Sequence, residues 1–317
     1  MRYGMIGAGA MGYRFGVMLQ EIGGFEVDFI DTWQPNLDAV RAQGGVWISR
    51  DGQNRHLVPI HLFTPEEYRG APDAWIVFVK QMQLAETLER CRGLFRPGQL
   101  VFTAMNGMGH IERLQEVFPD EAIVAGTAVI ATILKGPGEA DFMGARGLEH
   151  TSLAALDGRT DGPVQAFSED FARAELGPEI SDNVQGTLLA KVIFNSVSNS
   201  LCTMFQIPVG AFGAYAGSDA MTEQLVTEAY AALDAAGITP VQTREEAIAG
   251  ILHACRDLLP GHYPSMFQDF IAGRPTEVDA INGYLARLGR AHGVACPTHE
   301  FVVHLVHLAE ESRRPRS

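Results

Sequence analysis

Residues 3–12 read YGMIGAGAMG, and the fold follows from how this stretch divides. Tyr3 to Ile6 is a short apolar run that predicts a buried strand. It leads directly into Gly7-Ala8-Gly9-Ala10-Met11-Gly12, which fits the G-x-G-x-x-G pattern. Beyond it Phe15, Leu19 and Ile22 recur at helical spacing, and Gly23-Gly24 closes the helix. A strand, a glycine turn and a helix in that order predict a dinucleotide site. Gly7 permits the tight turn, Gly9 lets backbone approach a pyrophosphate, and Gly12 lets the helix pack against the strand. The helix N-terminus would offer its free N–H groups to the phosphates. A glycine-rich turn without a ligand is the plainer alternative.

Working outward, Glu26 to Ile30 predicts a second strand, and Asp31 stands at its end, about 20 residues past the glycine loop, where an acid bonds the ribose 2′-hydroxyl. A carboxylate there would repel a 2′-phosphate, and neither Thr32 nor Trp33 supplies a cation. The expectation is NAD(H) over NADP(H). The competing reading makes Asp31 a solvated strand end or a cap for the next segment. Trp47 and residues 56–63 suggest a hairpin excursion. Strands are expected over Ala74 to Val79 and Leu100 to Thr103, one or two within 122–134, and one at 153–156, with a helix from Pro163 to Leu176. After about residue 180 the pattern turns helical, over 183–203, 218–236, 243–258, 277–292 and 298–311, with Gly/Pro breaks at 237–240 and 273–275. The chain therefore divides into an α/β nucleotide-type domain, 1–179, with a parallel sheet, and an all-α domain, 180–317. A ligand is expected in the cleft between them, beyond the carboxyl ends of the strands.

Lys+Arg 24 against Asp+Glu 38 gives a net charge of -14, which argues against nucleic acid and anionic membrane surfaces as partners. No unbroken run of about 18 apolar residues stands out, and the N-terminus lacks the pattern of a secretory signal, so a cytoplasmic protein without a membrane span is expected. Cys91, Cys202, Cys255 and Cys296 form no C-x-x-C pair and read as buried free thiols. Lys80, Lys135 and Lys191 are the only lysines in a chain that otherwise uses arginine. An ammonium gives up a proton near neutrality far more readily than a guanidinium, so each lysine is a candidate for chemistry.

Lys191, Asn195 and Asn199 are spaced four apart in AKVIFNSVSN (190–199), so they form one polar stripe on an otherwise apolar helix. Such a stripe must be paired internally or face a wet cleft. Lys80 follows a strand, and AMNGMG (104–109), which contains Asn106, follows another. Near the C-terminus SMFQD (265–269) precedes RPTEVDAING (274–283), where Thr276 could cap a helix begun by Glu277, leaving Glu277 and Asp279 as dipole partners. His299, His304 and His307 could be read as metal ligands. The surrounding apolar residues favour a surface or interface role instead, and no metal is expected. The closing SRRPRS reads as a disordered basic tail.

Taken together, GAGAMG (7–12), VFVKQMQ (77–83), MNGMG (105–109), the K-x-x-x-N-x-x-x-N helix (191–199), SMFQD and TEVDAING (276–283) resemble the ketopantoate reductase (2-dehydropantoate 2-reductase) family, in order and over nearly the whole chain. The resemblance implies a Rossmann-type domain, a helical substrate domain, a homodimer, and reduction of a 2-keto acid by nicotinamide hydride, most naturally 2-dehydropantoate to pantoate. It also implies residue roles. Lys191 is similar to the family's general acid, and Glu277 to the carboxylate that accompanies it, binds the substrate hydroxyl and borders the cofactor. Asn195 and Asn199 would orient the substrate, and Ser265 would meet its carboxylate. Lys80 and Asn106 would sit where nicotinamide meets substrate. Two departures stand out. Asp31-Thr32 occupies the place where NADP-using members carry a basic residue. Leu188-Leu189-Ala190 precedes the lysine where an aromatic and a basic residue are usual. The second points toward a rival reading, an NAD-dependent D-2-hydroxy acid dehydrogenase for bulkier branched or aromatic substrates. A non-catalytic dinucleotide sensor is the alternative of a different class.

Overall fold

The structure is a computed structural model and describes residues 1–313; most of the basic tail lies outside the described residues. By its internal contacts the chain forms two compact units. One comprises residues 1–105 and 110–184, and the other 106–109 together with the chain from 185 onward.

The first unit is built on an eight-stranded sheet. Its leading element is β1 (Tyr3–Ile6), then α1 (Ala10–Glu21), β2 (Val27–Ile30) and α2 (Gln34–Gln43). The hairpin β3 (Val46–Arg50) and β4 (Gln53–Val58) leaves the sheet, and β5 (His61–Phe63) returns to its edge. There follow β6 (Ala74–Val77), α3 (Gln81–Cys91), β7 (Leu100–Thr103), α4 (His110–Gln115), β8 (Ile123–Val129), β9 (Thr132–Gly136), β10 (Glu139–Phe142), β11 (His150–Ala155), α5 (Pro163–Arg173) and β12 (Pro178–Ile180). The order across the sheet is β12-β11-β8-β7-β6-β1-β2-β5. All neighbours run parallel except β11, which pairs antiparallel with β8. The expected parallel sheet carries this one antiparallel pair because the short loop region after β10 returns the chain without a crossover helix.

Strand β1 pairs with β2 on one side and β6 on the other, so the direction of winding reverses beside it and the glycine loop opens at that switch point. One face of the sheet is covered by an aromatic cluster from α1, α5 and the strands: Phe15, Phe78, Phe102, Phe167 and Phe171. The other is covered by Leu84 and Leu88 of α3, Leu114 of α4 and Phe118 around Trp75. The full burial of β1 on both faces explains why it reads as an unbroken apolar run. A second sheet, β4-β3-β10-β9, packs against α1. It is fastened by buried Arg14 of α1, which pairs with Glu149 and lies over the Phe142 ring.

The second unit is helical: α6 (Val184–Phe205), α7 (Val209–Ala214), α8 (Ser218–Ala236), α9 (Arg244–His253), α10 (Ser265–Ile271), α11 (Asn282–Ala291) and α12 (Pro297–Arg313). Three sequence expectations change here. The helix predicted over 243–258 ends at His253 and passes into one π-helical turn, Ala254–Leu258. The helix predicted from Glu277 begins only at Asn282; a short turn, Val278–Ala280, precedes it. Glu277 thus opens no α-helix, and Thr276 uses its backbone N–H on Glu310 rather than its hydroxyl as a cap. The third change concerns α6, which is long and apolar enough to cross a membrane by length and composition, although 72% of that stretch is buried within the fold. No single unbroken run revealed it because Lys191, Asn195 and the serines interrupt the apolar residues. The four cysteines are all free and buried.

Candidate active site

The glycine loop is shaped by its three glycines in three different ways. Gly7 has φ +97°, and a Cβ there would lie 2.7 Å from the Phe78 carbonyl oxygen, so the loop runs tight against the segment that leads to Lys80. A Cβ on Gly12 would lie 1.8 Å from the Gly7 carbonyl oxygen, which is the close packing of helix on strand. A Cβ on Gly9 would meet nothing within 4 Å, so this α-carbon faces open space. The first intrahelical bond runs from the Tyr13 N–H to the Gly9 carbonyl. The N–H groups of Ala10, Met11 and Gly12 therefore belong to the helix's unbonded first turn. Two earlier donors are already used: Gly7 N–H bonds Ile30 O, and Ala8 N–H bonds an oxygen of Asp31 at 2.8 Å. An open α-carbon beside a bare helix N-terminus fits a dinucleotide pyrophosphate.

Asp31 follows β2, half-buried. Besides Ala8, its carboxylate accepts the N–H groups of Thr32 at 2.7 Å and Trp33 at 2.9 Å. It braces the glycine loop and also turns the chain toward α2, as the strand-end reading expects. Lys80 stands at the N-cap of α3; the strand before it ends at Val77, not Val79, and Phe78 N–H bonds Ile6 O.

In the helical unit, α6 carries Lys191, half-buried, and Asn195 and Asn199, both buried. Burial pulls the Lys191 ammonium down from its usual 10.5 to about 8, and the negative charge of Glu277 opposes the fall. These two residues, 86 positions apart in sequence, therefore feel one another directly. Glu277 is itself buried, on the turn before Val278. The loop holding Asn106 belongs to the same unit: Met108 N–H bonds Ala280 O at 2.9 Å, and Gly107, at φ +81°, has no room for a Cβ against Ala280. The site residues Asn106 and Glu277 are thus carried on two turns that pack together. Sequence spacing offered no sign of this link, since it depends on a backbone bond between distant loops. Ser265 is exposed at the first position of α10.

Behind the polar stripe lies a buried network. Asn282 donates to the Ser196 carbonyl and to His299 Nδ1, and accepts from the Ser200 hydroxyl. His299 Nε2 bonds Leu225 O, so Nε2 carries the proton and the imidazole is neutral, as its burial also requires. This is a core histidine, not a ligand. His307 pairs with Asp279, and no cluster of metal-ligating side chains occurs among the described residues.

Sequence models of the family described as ketopantoate reductase PanE/ApbA match residues 3–155, and of its C-terminal domain residues 183–310. The 2-dehydropantoate 2-reductase of Lactococcus lactis subsp. lactis is 31% identical over 98% of both chains. A solved structure of D-mandelate dehydrogenase with NADH and anilino(oxo)acetate superposes with a TM-score of 0.90 at 30% identity, covering 98% of this chain and 99% of that one. The 2-dehydropantoate 2-reductase of Geobacter metallireducens GS-15 does so at 0.87 and 26% identity, over 98% and 100%. The chain belongs to the ketopantoate reductase family. It is accordingly an NAD(P)-dependent oxidoreductase acting on CH–OH groups, which sets aside the non-catalytic sensor.

Proposed function

We propose that the protein reduces a 2-keto acid to the 2-hydroxy acid, with Lys191 as the general acid and 2-dehydropantoate as the leading substrate. The observation that carries this reading is the stripe of half-buried Lys191 with buried Asn195 and Asn199 on α6, in which burial lowers the ammonium to about 8 while Glu277 opposes the fall. The nicotinamide cofactor supplies the hydride that adds to the carbonyl carbon. Lys191 gives its proton to the carbonyl oxygen, which becomes the hydroxyl, and until then its charge stabilises the developing alkoxide. A pKa lowered toward neutrality makes the proton easier to release than that of an ordinary lysine. Glu277 holds the ammonium in place, Asn195 and Asn199 orient the substrate's polar groups, and Ser265 meets its carboxylate. Gly7, Ala8, Gly9, Ala10, Met11 and Gly12 hold the pyrophosphate, and Lys80 and Asn106 border the nicotinamide.

The sign of the pH dependence follows. Reduction requires the charged amine, so turnover at saturating substrates is flat below about pH 8 and falls above it. Hydroxy-acid oxidation requires the neutral amine, and rises through the same region. A reduction rate that climbs between pH 7 and 10 would remove Lys191 from the acid's role.

For the cofactor we propose NADH. Asp31 is held by three N–H donors at the end of β2, and a 2′-phosphate would meet its charge. The expected result is a kcat/KM for NADH at least about tenfold above that for NADPH, worth about 1.4 kcal/mol. The reverse order in initial-rate assays would overturn the choice.

A second substrate reading has its own support in the 0.90 superposition on D-mandelate dehydrogenase. Initial rates with 2-dehydropantoate, 2-ketoisovalerate and phenylpyruvate decide between the two: the leading reading requires 2-dehydropantoate to be the fastest. A homodimer is proposed alongside, with Phe301 and Leu308 exposed on one side of α12 as an apolar contact, and sedimentation reads it directly.

A further inference from the structure

Asn36 lies in α2, wholly buried, and belongs to none of the motifs above. Its Oδ1 accepts two hydrogen bonds, from the Tyr13 hydroxyl at 2.8 Å and the Gly138 N–H at 2.8 Å. Two donors on one atom fix which end of the amide is oxygen, so Nδ2 must face the other way. There it donates to the carbonyl oxygen of Ala8, at 3.1 Å, inside the glycine loop. In a planar trans peptide the C=O and the following N–H point in opposite directions. Holding the Ala8 oxygen toward Asn36 therefore aims the Gly9 N–H away from it, and Gly9 is the residue whose α-carbon faces open space.

We propose that Asn36 is a positioning residue for the cofactor's phosphates: it sets the orientation of the Ala8–Gly9 peptide, with Tyr13 and the Gly138 N–H fixing the amide itself. Asp31 fixes the preceding peptide through Ala8 N–H, so two consecutive peptide units of the loop are held from outside it. Gly138 lies in the turn between β9 and β10, and Gln43 anchors the same turn through Gly138 O at 2.8 Å. The small second sheet thus supports the nucleotide loop through one buried amide. This inference rests on the assignment of the glycine loop to the dinucleotide.

The test is NADH affinity, followed by quenching of protein fluorescence, together with thermal unfolding and steady-state kinetics. Asn36→Asp keeps the side-chain shape but sets an oxygen against the Ala8 oxygen. The expected result is a Kd for NADH raised at least about tenfold, with a matching rise in KM for NADH. The KM for the keto acid and kcat at saturating NADH stay within about twofold. A merely structural role would lower the unfolding temperature and leave the affinity of the folded protein alone. An Asn36→Asp protein that folds and binds NADH within twofold of the wild type overturns the proposal. If that variant does not fold, Tyr13→Phe decides, because it removes one hydroxyl and leaves Asn36 in place. Weakening of about threefold supports the proposal, and unchanged affinity overturns it. Wild-type protein that binds neither NADH nor NADPH would instead overturn the cofactor site itself, and the two failures are distinguishable.

Discussion

Lys191→Ala is expected to lower kcat for keto-acid reduction about 10²–10⁴-fold, the range that general acid catalysis contributes. The loss should appear in kcat and not in the dissociation constant for NADH, because Lys191 belongs to the helical unit and the glycine loop to the other. The pH dependence centred near 8 should vanish with the side chain. Glu277→Gln is expected to be damaging too, since the amide no longer holds the ammonium. If the two residues act as a unit, the double variant should be far less impaired than the product of the single losses predicts. Near-normal turnover in Lys191→Ala, with the fold confirmed by circular dichroism, would eliminate the general acid.

Gly12→Ala is the second large effect. The added methyl would stand 1.8 Å from the Gly7 carbonyl oxygen, a backbone atom that no rotamer change can move. The start of α1 must retreat from β1, which costs about 1–3 kcal/mol as over-packing does. The same retreat carries the unbonded N–H groups of Ala10 and Met11 away from their positions, so NADH binding should weaken by about 100-fold or more, some 2.8 kcal/mol. Gly9→Ala is the matched control. Its methyl meets no protein atom within 4 Å, so the unfolding temperature should hold while NADH binding falls through intrusion into the phosphates' space. A stable, tightly binding Gly12→Ala protein would show that the loop does not serve the cofactor.

The elements that sequence makes legible are those whose residues face one environment. Strands β1 and β7 are buried on both sides, and their apolar runs read directly. Strand β10 does not, because Glu139 and Asp141 alternate through it; Asp141 is buried but satisfied by Ser49 and the Gly52 N–H, a pairing no local pattern reveals. Helix α2 hides for a similar reason, since its inward residues include Asn36, polar yet fully bonded. The site divides in the same way. The glycine loop and the Lys191–Asn195–Asn199 stripe have fixed spacings and can be recognised in the sequence. The nearness of Glu277 to Lys191, and of the Asn106 loop to Ala280, arises from tertiary packing over long separations. The capping role expected of Thr276 failed because the chain turns once more, at Val278–Ala280, before its next helix.

The composition of α6 has a consequence for how the protein is made. On the ribosome this 22-residue apolar helix emerges well before the partner of its serines: Asn282 follows Ser196 by 86 residues and Ser200 by 82. Until translation passes that point, the nascent chain holds a greasy rod with nothing fitted against those hydroxyls and carbonyls. Any product truncated between α6 and α11 lacks the Asn282 amide that meets Ser196 O and the Ser200 hydroxyl. Lys191 thus sits on a segment whose buried serines meet their partner only once Asn282, in the C-terminal third of the chain, has been synthesised.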